Sequence, residues 1–594
     1  MATILTKRTR SFRIISQDPE VCDVNNQMLT TTVDIPVECL YSGPWGHRVQ
    51  VVDFDSYSSK FYDPLIYEQD DAGFVLDPFI DKDAGTLIED RHFHSQNVYA
   101  IVMRTLMLFE RALGRRVNWG GKSHQLKLVP TAFYDANAFY WPQKEAILFG
   151  YFPATNRDGN VYTCLSHDVI VHETTHALLD GLRSRFVYPS SPDQAAFHEG
   201  FSDIVALLSV FSLSGVVEAV LKRQARTKKL KFNWISKNGI SPQKLKQSAL
   251  LGLAEQMGQE GVQAVRGTAL RRSVDLDPNP DYYNNDPQFI PAHRRGEILV
   301  AATMNTFIHI WSERLKQMSS VSSNLLDLDR VVEEGKDIAD YFLSTVIRAI
   351  DYTPPVHLEF CDYLSAMITA DKEIHPNDTR YQIRKHLLSS FESYGIKPAV
   401  GAPVASRDPA SQGSKTIDGA WLSVDELDLS YDQIHFEAMT RDPDEVFKFI
   451  WDNRQVLHLD GGLSDQAYCN VLSVRPCVRI SIDGFALRET VAEFYQVVRL
   501  GADELKKLGY ALPADMPDEI EIPLYGGGTL IFNEYGRLKY YIHNSLDNRE
   551  RQEKRIKDLW SVGALPERAD RRSNFARLHR LRAMDAGDDP REEW

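Results

Sequence analysis

Two histidines four residues apart carry the first chemistry. The segment DVIVHETTHALLD, residues 168–180, sets His172 and His176 at i and i+4. On a helix they share one face, a turn apart, and their imidazoles can converge on one ion. Glu173 follows the first histidine and is placed to take a proton from a water at that ion. This is the HExxH pattern, in which a zinc ion and a glutamate base act together. The pattern also arises by chance in a chain of 594 residues, so a third ligand decides.

That ligand is offered some twenty residues later, in FHEGFSDI. Glu199 supplies a carboxylate and leaves a fourth position open, as a catalytic zinc requires. Asp203, one turn on, can accept the outward N–H of a ligating histidine and fix its tautomer. A solvated acidic helix face would not lie among Phe197, Phe201, Ile204 and Val205. His198 adjoins Glu199, but helical neighbours point about 100° apart, so it is left out of the ligand set.

These residues need rigid elements. Apolar spacing predicts helices over 93–115, 167–183 and 193–212, and an almost wholly helical stretch over 294–395. Between the first two, the runs QLKLVPTAFY, NAFYW and EAILFGYF predict a twisted antiparallel sheet. The class is α+β. Residues 1–60 read as strands and loops, 61–215 as a β/α lobe, and 216–397 as a mainly helical lobe. An Ala-, Pro-, Ser- and Gly-rich linker follows at 398–418, then an accessory α+β unit at 419–560 and a charged tail at 561–594. In the accessory unit LRETVAEFYQVVRLGADELKKLG is expected to be a helix, and Gly526 to Gly528 a hairpin turn, since no Lys-Ser/Thr follows to make a phosphate loop.

With these motifs placed, the chain resembles the thermolysin-like gluzincin metallopeptidases over about residues 60–397. Asn137-Ala138-Phe139-Tyr140 is similar to that family's edge-strand motif. The likeness implies that Ala138 pairs its backbone with an extended substrate and that Asn137 binds the substrate main chain, a mode that reads backbone rather than sequence. Leu270-Arg271-Arg272-Ser273 resembles a motif whose arginine donates to a substrate carbonyl. Arg271 takes that role by the likeness, with Arg272 as the neighbour that could be confused with it. His293 stands where the family keeps a histidine that stabilises the oxyanion, although the local sequence departs from the usual form. Asp286 would orient it, and Tyr188 would assist. The resemblance further implies a two-lobed unit with a β/α N-terminal and an α-helical C-terminal lobe.

The expected function is therefore a zinc-dependent metalloendopeptidase with one catalytic Zn²⁺. The alternative is an inactive or non-peptidase zinc-site protein that serves as a binding module. Calcium is not supported: VALLSVFSLSG at 205–215 lacks the acidic ligands secreted relatives carry there, and Asp168 alone cannot supply six to eight oxygens. A balance of 67 basic to 82 acidic residues argues against nucleic acid and an anionic membrane as partners. The expected partner is a peptide or protein substrate, with room for a protein partner on the C-terminal unit. Six scattered cysteines without a CxxC pair read as free thiols. No signal peptide or membrane-length apolar run is recognisable, so a cytoplasmic setting is the default, with leaderless secretion left open.

Overall fold

The computed structural model describes residues 9–23, 25–71, 74–155, 158–187, 191–225, 233–246, 273–318, 325–399, 419–424, 427–480, 484–561 and 565. The fold is mixed α+β. The N-terminal segment forms an antiparallel pair, β1 (Thr9–Ile15) and β2 (Thr30–Pro36). A larger sheet runs β5 (Lys60–Phe61), β4 (Phe54–Asp55), β6 (Leu126–Tyr134), β8 (Ala146–Pro153), β7 (Ala138–Trp141), with β3 (Val49–Val51) on β6 and β9 (Asn160–Tyr162) on β8. It is not the antiparallel sheet expected. β6 pairs parallel with β8, because the chain hairpins through β7 and inserts β8 between the two. That insertion leaves β7 at the sheet edge.

Helix α1 (Arg91–Leu113) starts at an Asp90 side-chain cap and ends at Gly114, whose φ of 67° is left-handed. Helices α2 (His167–Leu182) and α3 (Pro192–Phe211) are buried along almost their whole length, as befits central elements. Then follow α4 (Ser214–Ala225), the small pair β10 (Trp234–Ser236) and β11 (Leu325–Asp327), and helices α5 (Ala292–Gln317), α6 (Leu328–Arg348), α7 (Phe360–Ile374) and α8 (Ile383–Ser393). One core runs through α1, α2, α3, α5, α6 and α7.

Helices α3 and α5 cross at paired glycines. A Cβ on Gly200 would come within 2.9 Å of the Gly296 carbonyl oxygen, and one on Gly296 within 3.0 Å of the Ala196 oxygen. Only glycine permits that approach. The same end is tied by a buried ion pair between Arg295 and Asp193, with Tyr283 donating to the other Asp193 oxygen at 2.6 Å.

Toward the C-terminus a four-stranded antiparallel sheet forms in sequence order: β12 (Tyr468–Ile480), β13 (Ala486–Gly501), β14 (Glu521–Asn533) and β15 (Leu538–Asn544). Helices α9 (Pro443–Asp452) and α10 (Arg549–Ser561) accompany it. Two expectations are corrected here. Residues 486–501, read as helix, are the 16-residue strand β13, flanked on both sides by strands; only Ala502–Lys507 beyond it is helical. Gly526 to Gly528 do not turn. They lie mid-strand in β14, where a Cβ on Gly527 would meet the Phe494 oxygen at 2.5 Å. Cross-strand pairing and burial override a local helical pattern in the first place and a turn signal in the second.

The C-terminal sheet is not a loose appendage. Ile531, Tyr540 and Ile542 belong to the main core. Arg479, fully buried, bonds Asp351 at 2.5 Å and also pairs with Glu489. Arg115 grips the same Asp351 through both guanidinium nitrogens. Burial pushes the Asp351 carboxyl up, but the Arg115 and Arg479 charges outweigh it and hold it well below the usual range. Residues 400–418, most of the proposed linker, and 566–594, most of the charged tail, lie outside the described residues. All six cysteines are free. Among the described residues no single helix is long and apolar enough to cross a membrane; α3 with α4 meets the test only as a pair bent by 82°.

Candidate metal centre

Helices α2 and α3 bring His172, His176 and Glu199 together, with one potential ligand atom from each within 4.8 Å of the others. All three are buried. The two Nε2 atoms lie 3.0 Å apart, and His172 Nε2 is 3.7 Å from Glu199 Oε2. Donors on a tetrahedral ion with bonds of about 2.0–2.1 Å stand about 3.4 Å apart, so the spacing suits a small divalent cation.

The outward nitrogens show which lone pairs face inward. His172 Nδ1 is 2.7 Å from Asp203 Oδ1, the partnership expected from the sequence. Its Nδ1 therefore carries the proton and its Nε2 is a bare donor. His176 Nδ1 lies 2.7 Å from His198 Nδ1, with the Ser202 hydroxyl at 3.3 Å. These partners hold His176 Nδ1 on the outward side, so its Nε2 is the atom turned toward His172. Two imidazole lone pairs and a carboxylate directed at one point repel one another unless a cation sits between them. These residues fit a bound metal ion.

His198 was set aside as a ligand, and its rotation away from Glu199 is what delivers it to the back of His176. The signal was present in that 100° offset, but only the position of α2 relative to α3 gives it meaning.

Glu173 is buried, and its Oε2 accepts the Tyr140 N–H of β7 at 2.8 Å. That amide points away from β8, so alternation along the strand turns the Ala138 N–H and C=O outward as well. Asn137 opens β7. Its Oδ1 accepts the Ala138 N–H at 2.8 Å, while its Nδ2 is buried with no partner among the described residues. His293, at the start of α5, places Nδ1 3.2 Å from Glu199 Oε2 and remains partly exposed, at 32% of its side chain. The Gly200–Gly296 crossing makes this approach possible, since each glycine lies within three residues of one of the two groups. Asp286 is not brought to His293: it caps the next turn, accepting the Gln288 N–H at 2.9 Å. Tyr188, Arg271 and Arg272 lie outside the described residues.

Both ends of α2 are held by parts of the chain outside the 60–397 resemblance. At its start the His167 N–H donates to the Gln17 carbonyl at 2.6 Å, and the Ser166 hydroxyl bonds buried Asp18. At its end Arg475 of β12 donates to the Leu182 carbonyl at 2.8 Å, and Arg183 pairs with Glu493 of β13 at 2.7 Å. A guanidinium on the last carbonyls of a helix opposes the negative end of its dipole. Sequence reasoning identified none of these contacts.

No protein-family model matches this chain, and no curated protein matches it. The site therefore rests on its own geometry: a buried His-His-Glu set that can hold a metal ion, with a carboxylate beside it tied to an edge strand.

Proposed function

We propose that the protein is a zinc-dependent metalloendopeptidase of the thermolysin-like, gluzincin kind. One observation carries the reading: Glu173, next in sequence to a metal-ligating histidine, is tethered to the outward amide of an edge strand that begins with an unsatisfied Asn137 amide. A base beside a metal set is hydrolytic machinery. An outward strand edge is a holder for extended peptide. The packing of β7 on α2 and of α5 and α6 on α3 supports a two-lobed catalytic unit.

When bound, the zinc ion supplies Lewis acidity that acidifies a water and polarises the scissile carbonyl. Glu173 accepts the proton from that water and returns it to the departing amine. Tyr140 N–H holds one of its oxygens in place. Ala138 pairs with the substrate backbone, and Asn137 Nδ2 donates to a substrate carbonyl. His293 stands beside Glu199 at the mouth of the site, where it can donate to the charge that develops on oxygen.

The test is Glu173→Gln in the full chain. It should bind one zinc per chain like the parent and lose peptide cleavage by roughly 10²–10⁴-fold, the usual contribution of a general base. Normal turnover in the variant would remove Glu173 from the mechanism. A zinc-loaded parent that cleaves no member of a peptide library would instead favour a binding module.

A further inference from the structure

The geometry points to an aromatic, anionic docking surface on the N-terminal sheet that takes a Lys- and Arg-rich extended segment of a protein substrate, an inference that rests on the peptidase reading.

Large aromatic side chains seldom stand far out of a folded surface together. Here Tyr57 is 79% exposed, Phe61 75% and Tyr134 49%. Tyr57 and Phe61 belong to the β4–β5 hairpin, and Tyr134 ends β6, the strand that pairs with β4. The Tyr57 and Tyr134 rings are 5.6 Å apart, and Phe61 packs on Phe54 across the β4–β5 hairpin at 5.0 Å. Tyr62 extends it, with the Arg91 guanidinium 3.6 Å from its ring centroid. A cation already lies on one face of the patch, held from behind by Asp53 at 2.6 Å.

The charge around these rings selects the occupant. Residues 51–91 carry eleven carboxylates against Lys60, Lys82 and Arg91, a net −8 in a chain whose total is −15. Asp63, Glu68, Asp70 and Asp71, which follow Phe61 in sequence, are all exposed. Aromatic faces attract ammonium and guanidinium groups, and surrounding carboxylates strengthen that attraction while repelling acidic segments. An acidic or purely apolar partner meets no such complementarity.

Its position ties the surface to the cleft. β6 and β8 are parallel and β7 antiparallel to β8, so the C-terminal end of β6, with Tyr134, lies at the same sheet end as Asn137 and Ala138. Phe133, beside Tyr134, stacks on Phe139 of β7 at 5.3 Å. From β7 to β5 is four strand spacings, about 19 Å at about 4.8 Å each, or roughly six residues of extended chain. A substrate on the β7 edge thus reaches the aromatic patch about six residues from its paired segment.

The experiment uses full-length Glu173→Gln, which cannot consume its ligand by the proposed mechanism. Two fluorescein-labelled peptides span both regions, about fifteen residues at about 3.3 Å each. They share a neutral half, while the other half is Lys/Arg-rich or Asp/Glu-rich. By fluorescence anisotropy the basic peptide should bind about tenfold or more tighter, with the preference fading as salt rises. Adding Tyr57→Ser and Phe61→Ser should abolish that preference while the melting temperature stays near the parent's. Equal binding of the two peptides, or a preference untouched by the double change, overturns the inference. So does a concentration-dependent dimer lost in the double variant, which would assign the patch to a second copy. Because binding is read without turnover, failure of the peptidase reading shows separately, as absence of cleavage by the unmutated chain.

Discussion

At the scale of single residues, the centre depends on how each ligand is backed. His172 leans on Asp203, a carboxylate, and His176 on His198, an imidazole whose Nδ1 lies 2.7 Å from its own. Partners behind ligating histidines set ring orientation and tautomer. His198→Ala should therefore weaken zinc binding by roughly 10–100-fold, measured by competition with a chromophoric chelator. His198→Asn, which keeps an acceptor, should recover most of that loss. Unchanged affinity in the alanine variant would reduce His198 to packing. His172, His176, Glu199 and Asp203 were legible in the sequence because each pair sits one helical turn apart, a relation local spacing encodes. The His198 contact and the Tyr140 amide on Glu173 were not, because each joins two elements whose relative placement no local pattern records.

At the scale of elements, the close crossing of α3 and α5 is what sets His293 against Glu199. Gly296→Ala puts a Cβ against the Ala196 oxygen at 3.0 Å and the Gly200 nitrogen at 3.2 Å, with backbone atoms on both sides that cannot step aside. The helices should separate, at a cost of about 1–3 kcal/mol, read as a lower denaturant midpoint with an unchanged slope. Full stability in this variant would show that the crossing is looser than the glycines suggest. Helix identity was read well here: α1, α2 and α3 begin and end within two residues of expectation. The C-terminal sheet was read poorly. Residues 486–501 mix Leu, Glu, Ala and Gln with Val, Phe and Tyr, so helical and strand patterns compete. Two neighbouring strands, one more than four hundred residues from the start of the chain and the other beyond 520, settle the contest.

At the scale of the whole molecule, the C-terminal sheet and the helical core share one electrostatic junction. Asp351, Arg479 and Glu489 are buried there with Arg115 paired beside them, and breaking such a set leaves uncompensated charge. A chain ending at residue 418 would take Arg479 from Asp351 and Glu493 from Arg183, uncover the end of α2 and expose core around Tyr352. We predict that it fails to give a cooperative melting transition, whereas the full chain melts in one. A truncated protein that melts sharply and retains zinc would mean the junction is dispensable. A composition break at 398–418 suggests a boundary between units, but charge pairs joining residues 115, 351 and 479 leave no trace in any short window of sequence.

The clasp on the two ends of α2 also has a meaning in time. Gln17 and Asp18 meet the start of this helix, while Arg475 and Glu493 meet its end. During synthesis at about 5–20 residues per second, Glu493 follows Glu199 out of the ribosome by roughly 15–60 s. For that interval every metal ligand and Glu173 exist, but the helix bearing three of these four residues has only its first end secured. The nascent chain is thus expected to stay unable to retain zinc until the last sheet arrives, which would keep the proposed hydrolytic centre silent while its own unfolded polypeptide lies beside it. Ribosome-arrested chains stopped before and after the sheet would reveal this as zinc retained only by the longer one; equal retention by both would refute it.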